Sequence, residues 1–569
     1  MNDLQPVALG DEPADLVIRD GRVLLPEPCE FQARDVAIKN NRVAALPEDA
    51  TDAVGEDTKV INASDRVVVP GFIDAHTHID LHQTFENAYH YALEGGTTTV
   101  VTEVTGFGPA FGREGVEQLL AATSYLPIRV YATVPPQPVI DTFEPARADV
   151  DALAELVDDP RIVGIGETDW IHAVGRDTNA EVLYDRANRE GKTVSGHGAG
   201  CSGAKLQAFA SVVDDDHEAI TGDEIVERVE NGIHAIGRYG SIRDDMSAVG
   251  EAYEAIGASE ISLSTDGMWP RQLVREGYMD VVVRRAIEEG VPPADAIRMA
   301  TLNPARHFGL PNLGSLAPGN VADVLLIDDL ETVNVTTVIS GGEVVYNNHE
   351  TTVAPRSYEY PERFYDSVNV STDPDEFRVP AAEGAVRAIE YRGGLLSAET
   401  TVEPPVEDGE LVAAPEDGLL KVALFDRHPD GDGTGFTGFL TGYGAFEGAV
   451  ATSLVWEVPG VLAAGSGDDL RRAVAHVNEM GGGWAVVKDG DVVAELPTRV
   501  GGVCSDLEVE ETAKLYGAIE SALRTLGAEV ERPMLALQTL TFPGVPSLKL
   551  SFSGYADIFS REIVGLRSE

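Results

Sequence analysis

Two histidines spaced two residues apart, His76 and His78 in GFIDAHTHID, are the first side chains of this chain that could share a metal ion. On an extended strand that spacing turns both imidazoles to the same face. Four further apolar runs end in side chains of the same chemical class: Glu167 in VGIGETDW, His197 in TVSGHGAG, His217 in VVDDDHEA and Asp266 in LSTDG. Imidazole and carboxylate donors suit zinc, manganese or iron, and six of them suffice for two divalent ions with positions left for water. An isolated HxH carries little weight, and any one of the six could be a satisfied polar group in a loop. The weight comes from their common place at the ends of successive runs.

The elements that must position them read as apolar strands alternating with amphipathic helices. The strand segments are GFIDAHTH (71–78), TTTVVTE (97–103), PIRVYATV (127–134), RIVGIGETD (161–169), KTVSGHG (192–198), FASVVDDDH (209–217), IHAIGRYG (233–240) and EISLSTDG (260–267). Eight is the number a closed (β/α)8 barrel requires, and such barrels build their active sites at the C-terminal ends of the strands. Before them, residues 1–70 read as short strands with reversals at Asp20-Gly21 and Asn40-Asn41. After helices at 279–289 and 293–302 the chain returns to strand and turn chemistry, so 1–70 and 315–350 form one composite β domain around a barrel at 71–314. Residues 351–418, rich in Pro, Glu and Asp, read as a linker, and 419–569 as a C-terminal α/β domain. The expected fold class is α/β: a (β/α)8 TIM barrel, a composite β-sandwich domain and an additional C-terminal α/β domain. The Gly-rich stretch at 431–449 reads as turns, since no GK[ST] follows that would make a phosphate cradle.

Composition narrows the partners. The 569 residues carry 95 Asp plus Glu against 42 Lys plus Arg, a net charge of −53, with charged residues at an ordinary 24%. A nucleic-acid backbone or an anionic membrane would be repelled. The acid is spread along the whole chain and Lys is scarce, the pattern of a halophilic surface kept solvated where salt screens repulsion within about 3 Å at 1 M. Three scattered cysteines, Cys29, Cys201 and Cys504, make no disulfide framework, and no run of about 18 apolar residues occurs. The expectation is a cytoplasmic protein.

With these residues in view the chain resembles the amidohydrolase superfamily, through PGFIDAHTH, the later histidines, Asp266 and LNPARHFGLPNLGSLAPGNVADVLLID. Within it the similarity is to the adenine deaminase family, on GGTTTVVTE, GHGAGCSGAKLQAF, DDHEAIT, REGYMDVVVRRAIEEGVPPADAIRMATLNPA and HVNEMGGGWAVVKDGDVVAELP. The resemblance spans nearly the whole chain. Members resembling hydantoinase or dihydroorotase bridge two metals with a carbamylated lysine on the fourth strand; this chain offers Glu167 there and no lysine nearby.

What the resemblance implies is metal-dependent deamination of adenine to hypoxanthine, a purine-salvage step, with two divalent ions, manganese first and iron or zinc as alternatives. Divalent metals make water acidic enough to attack an amidine carbon. Asp266 takes its proton and passes it toward the leaving amine, and Glu218, beside His217, is either the group that protonates a ring nitrogen or a solvated or structural acid. The implied partner is a small purine-like molecule, with no nucleic acid and no membrane, and family members are often homo-oligomers. Three motifs depart from the family pattern: Thr102-Glu103-Val104-Thr105 stands where Asp-Pro-His-Glu is usual, Gly267-Met268-Trp269-Pro270 follows Asp266, and Ser453-Leu454-Val455-Trp456-Glu457 replaces a His- and Asp-rich motif. His82 and His90 read as surface residues, the alternative being a part in a changed pocket. The alternatives are hydrolysis of another C–N bond, as in a heterocyclic amine deaminase, a deacetylase or a cyclic amidohydrolase, and a non-catalytic scaffold.

Overall fold

The computed structural model describes residues 3–176, 178–381, 384–428, 431, 433–545 and 547–567. Eight parallel strands, Phe72–Thr77, Thr97–Thr102, Arg129–Val134, Ile162–Asp169, Thr193–His197, Asp215–Asp216, His234–Arg238 and Ile261–Ser264, lie side by side in chain order. Nearly every residue in them is buried, as strands covered on both faces require. The first and eighth strands meet without a regular ladder. The Asp266 N–H donates to the His76 carbonyl at 3.0 Å, and the Asp74 carboxylate accepts from the Thr265 N–H at 3.0 Å and its hydroxyl at 2.7 Å. This closure sets Asp266 beside His76 and His78.

The sixth strand is shorter than its sequence suggests. Helix Gly203–Phe209 absorbs the start of FASVVDDDH, because Leu206 and Phe209, three apart, bury on one helix face. Only Asp215–Asp216 pairs as strand. Asp216 then ties two strand ends together: its carboxylate accepts from the N–H groups of Gly198 and Glu218 and from Arg228 Nε, at 2.8, 3.2 and 2.8 Å. Arg228 reaches it from helix Gly222–Glu230, which a Thr221/Glu224 capping box starts immediately after His217 and Glu218.

The composite β unit is one continuous sheet of nine strands with apolar cores on both faces. Val324–Ile327 pairs antiparallel with Val67–Pro70, joining the returning chain to its start. Asn40-Asn41 turns the chain between Phe31–Lys39 and Arg42–Ala45, but Asp20-Gly21 does not reverse it: Leu16–Leu24 runs straight through with a bulge there. Gly21 serves close packing instead, since a Cβ on it would fall 2.6 Å from Val68 Cγ2.

Beyond residue 350 the chain builds a second eight-stranded sheet, covered by helix Gly467–Met480, which ends at left-handed Gly481. The stretch expected as a linker supplies two strands of this sheet, Val386–Gly393 and Leu396–Val402. Its Pro and acid content lies between the ordered pieces, while Val386, Ala388, Ile389 and Tyr391 are buried. The Gly-rich stretch forms a strand, Gly435–Thr441, paired antiparallel with Leu420–Asp426, and then turns; its Asp432 lies outside the described residues. Among the described residues no helix is long and apolar enough to cross a membrane.

The two halves are stitched over the barrel mouth. Cys504–Ser505 pairs with His82–Gln83, and Arg271, beyond the eighth strand, forms an ion pair with Glu520 of helix Val509–Thr525.

Candidate metal centre

The six side chains read from the sequence converge at the C-terminal mouth of the barrel, all buried. Their focus is Glu167. Its Oε1 lies 3.6 Å from His76 Nε2, 3.5 Å from His78 Nε2, 3.5 Å from His197 Nδ1 and 3.1 Å from His217 Nε2. Asp266 Oδ1 stands 3.4 and 3.2 Å from the Nε2 atoms of His76 and His78. Asp266 holds this place in a left-handed conformation, φ 51°, a strain that surrounding structure must enforce.

Two residues of the departing second-strand motif orient the first histidine pair. Glu103 Oε1 lies 3.3 Å from His76 Nδ1, and Thr105 Oγ1 2.9 Å from His78 Nδ1. With each Nδ1 engaged from behind, the Nε2 lone pairs are free to face the centre. Glu103 is itself fixed, its Oε2 accepting from the Thr133 hydroxyl at 3.0 Å and the Glu167 N–H at 2.8 Å.

Arg238, at the end of the seventh strand, was not anticipated. Its buried guanidinium donates to Asp266 Oδ2 at 3.0 Å, to Asp245 at 2.9 Å and to Glu218. Its place in IHAIGRYG, at a strand end like the others, was the available signal. Glu218 Oε1 lies 3.8 Å from His197 Nδ1 and 3.6 Å from His217 Nε2.

Charge at the centre is unbalanced. Four buried carboxylates, Glu103, Glu167, Glu218 and Asp266, surround the histidines, and the guanidinium of Arg238, which meets two of them, is shared with a further buried carboxylate, Asp245. Burial alone would lower the histidine pKa values, yet Glu103, Asp266 and Glu167 hold His76 well above the ordinary imidazole value. Burial acts the same way on His78 and His197, and the carboxylates, led by Glu167 and Glu218 respectively, push each up to about 10. Against the upward pull of burial, the histidines hold Glu167, and Arg238 with His76 and His78 holds Asp266, well below the carboxylate range; Arg238 with His197 and His217 takes Glu218 down to about 2. The upward shifts of these three imidazoles reflect negative charge that a divalent cation would balance. The donor atoms of His76, Glu167, His217 and Asp266 lie within 4.8 Å of one another, as do those of His197, His217 and Glu218. Among the described residues, His76 Nε2 is buried without a hydrogen-bond partner. Nitrogen and oxygen donors, unbalanced negative charge and an unpartnered buried ring nitrogen together fit a divalent metal.

The C-terminal region closes this mouth. Trp456 stacks over His78 at 6.5 Å between centroids, Phe542 sets its edge to His197 at 5.0 Å, and the two aromatics touch at 5.3 Å. Chain passage at Gly544 is so close that a Cβ would fall 2.4 Å from Asp169 Oδ1 and 3.0 Å from His197 Cδ2. Burial, opposed by His197, pushes Asp169 up to about 7. His82, expected at the surface, is fully buried, its ring 4.8 Å from Trp269 and 5.2 Å from Tyr516, because the strand pairing with Cys504–Ser505 covers it. His90 is half-buried beside Tyr91.

Comparison with known proteins agrees with this layout. Residues 67–345 match the model of the amidohydrolase family, and residues 395–562 that of the adenine deaminase C-terminal domain. A protein of Methanothrix thermoacetophila named adenine deaminase is 32% identical over 566 residues, covering 98% of each chain. One of Halalkalibacterium halodurans with the same name is 31% identical, over 97% of this chain and 96% of its own.

Proposed function

Because this chain belongs to the adenine deaminase family of the amidohydrolases, we propose that it hydrolyses adenine to hypoxanthine and ammonia, as a step of purine salvage. The observation that carries the reading is the single Glu167 oxygen set 3.1 to 3.6 Å from nitrogens of four histidines. A scaffold has no use for that convergence of buried charge.

His76, His78, Glu167, His197, His217 and Asp266 would hold the two divalent ions of this reading. Manganese is the metal proposed, on a donor set that also accepts iron or zinc. Bound there, such metals supply a Lewis acid that brings the pKa of water toward neutrality.

The remaining chemistry belongs to the chain's own carboxylates. Asp266 would accept one proton of the attacking water and pass it to the leaving amine, which departs as ammonia. Arg238 contacts both Asp266 and Glu218, so both begin as anions; Glu218 would take the other proton of that water and deliver it to the ring nitrogen, which balances the hydrolysis. Glu103 and Thr105 keep the first two imidazoles in the orientation this requires.

The surroundings proposed are a salt-rich cytoplasm, a free purine-like base as the only partner apart from copies of the chain in a homo-oligomer, and no nucleic acid or membrane. The test is ammonia release from a panel of nucleobases at high salt with added Mn²⁺. Stoichiometric ammonia and hypoxanthine from adenine are expected. Turnover of another amine-bearing heterocycle with none of adenine refutes the substrate.

A further inference from the structure

His197 and His217 end different strands, yet their facing nitrogens, Nδ1 and Nε2, stand 3.2 Å apart beside Glu167. Glu103 and Thr105 orient the other pair, His76 and His78, so this second pair needs a support of its own. On an extended run neighbouring side chains point to opposite faces. His217 faces the centre, and Asp216, just before it, meets Arg228 of helix Gly222–Glu230.

This buried ion pair grips both strand ends through the backbone. Asp216 Oδ1 accepts from the N–H groups of Gly198 and Glu218, the residues that follow His197 and His217, at 2.8 and 3.2 Å. Its Oδ2 accepts from Arg228 Nε at 2.8 Å, and Arg228 Nη2 donates to the Gly198 carbonyl at 2.9 Å. Gly198 is therefore held at its amide by the carboxylate and at its carbonyl by the guanidinium. It is also fitted to the contact, since a Cβ there would fall 2.7 Å from Asp216 Oδ2 and 3.1 Å from Phe209 Cε1. Arg228 and Asp216 are each 1% exposed, and a pair so buried is weak support for stability, because taking two charges out of water offsets their attraction. The rigid fork of the guanidinium fixes geometry instead.

We propose that the Asp216–Arg228 pair is the positioning element for His197 and His217, setting their spacing and with it the affinity of the centre for divalent metal. The inference rests on the metal-dependent reading and adds the support of its second imidazole pair. Asp216 and Arg228 act through two backbone N–H groups and one carbonyl. Without them the two strand ends are free to part, and a ligand constellation must be held within about 0.5 Å to keep its grip.

The test is chelator competition with Mn²⁺ on the whole chain, without substrate, for wild type, Arg228→Met, Arg228→Lys and Gly198→Ala, with circular dichroism verifying that each metal-free sample is folded. Arg228→Met is expected to lower metal affinity about 10- to 100-fold, the effect of outer-shell changes. Arg228→Lys, which restores a cation to Asp216, is expected to recover part of that loss. Gly198→Ala alters no charge and no ligand but pushes Asp216 aside; it is expected to lower affinity too, and it decides the matter where Arg228→Met does not fold. A pair that served only the fold would lower the melting temperature and leave the metal affinity of the folded protein unchanged. Wild-type affinity in folded Arg228→Met or Gly198→Ala, or a loss in Arg228→Met that Arg228→Lys does not recover, overturns the proposal. Protein that behaves as expected in these titrations yet releases no ammonia from adenine refutes the proposed activity and leaves the positioning role standing.

Discussion

Glu103→Gln tests whether a carboxylate that touches no metal controls the centre. In the wild type, Oε2 accepts from the Glu167 N–H at 2.8 Å and the Thr133 hydroxyl at 3.0 Å, and Oε1 faces His76 Nδ1 at 3.3 Å. Glutamine offers one acceptor oxygen in the same volume. That oxygen must take the Oε2 side, because the Glu167 amide can only donate, whereas the Thr133 hydroxyl can rotate. The side-chain NH₂ is then turned toward His76 Nδ1. To avoid opposing donors His76 must carry its proton on Nε2, the nitrogen 3.4 Å from Asp266 and 3.6 Å from Glu167, and a protonated nitrogen cannot ligate. Outer-shell changes of this kind lower metal affinity about 10- to 100-fold, or roughly 1.4 to 2.8 kcal/mol. Glu103→Ala differs in kind: it also strands the Glu167 N–H, adding about 1 to 3 kcal/mol of destabilisation. Metal affinity by chelator competition and melting temperature on the same samples separate the two effects. Wild-type metal affinity in a folded Glu103→Gln protein refutes the reasoning.

Asp266→Asn, reconstituted to wild-type metal content at excess metal, is expected to lower turnover by about 10²- to 10⁴-fold; elemental analysis verifies the loading and the ammonia assay reads the loss. His82 is buried with neither ring nitrogen hydrogen-bonded, and burial takes its pKa down to about 3, so the fold holds it neutral while the unfolded chain binds a proton below about 6.5. Its contribution to stability is full above that value and falls as pH drops toward 3, by about 2 kcal/mol on reaching pH 5; denaturant curves of wild type and His82→Leu near pH 7 and pH 5 are expected to differ by that change. Dialysis into dilute buffer is expected to lower melting temperature and activity, since −53 charges are then unscreened; full stability at low salt contradicts the halophilic reading.

The barrel and the positions of its ligand-type side chains were legible because both are local signals. Apolar runs of strand length alternate with helical periodicity, and His76, His78, Glu167, His197, His217 and Asp266 each end such a run. What was hidden depends on contacts between distant segments. Trp456 and Phe542 stand far along the chain from His78 and His197, and nothing near them in sequence says what they cover. His82 looked exposed because its burial comes from Cys504–Ser505. Asp20-Gly21 carried a turn signature, yet the glycine answers the neighbouring strand at Val68. The second-strand departure was visible as a difference, but that Glu103 and Thr105 stand behind two imidazoles needed coordinates.

The acidity of this chain is two separate features. Most of its 95 acidic residues are spread along a chain whose acidic excess reads as surface coat, where charges interact through solvent and salt within a Debye length moderates them. Glu103, Glu167, Glu218 and Asp266 are buried, and buried charges are screened far less. Their balance is set by Arg238, by four imidazoles and by whatever cation the centre holds. Salt can therefore stabilise the coat without substituting for the metal, and metal can complete the centre without relieving the coat. The −53 alone would have suggested one dependence on cations; the burial of four carboxylates, Glu167 among them, divides it into a diffuse one and a stoichiometric one.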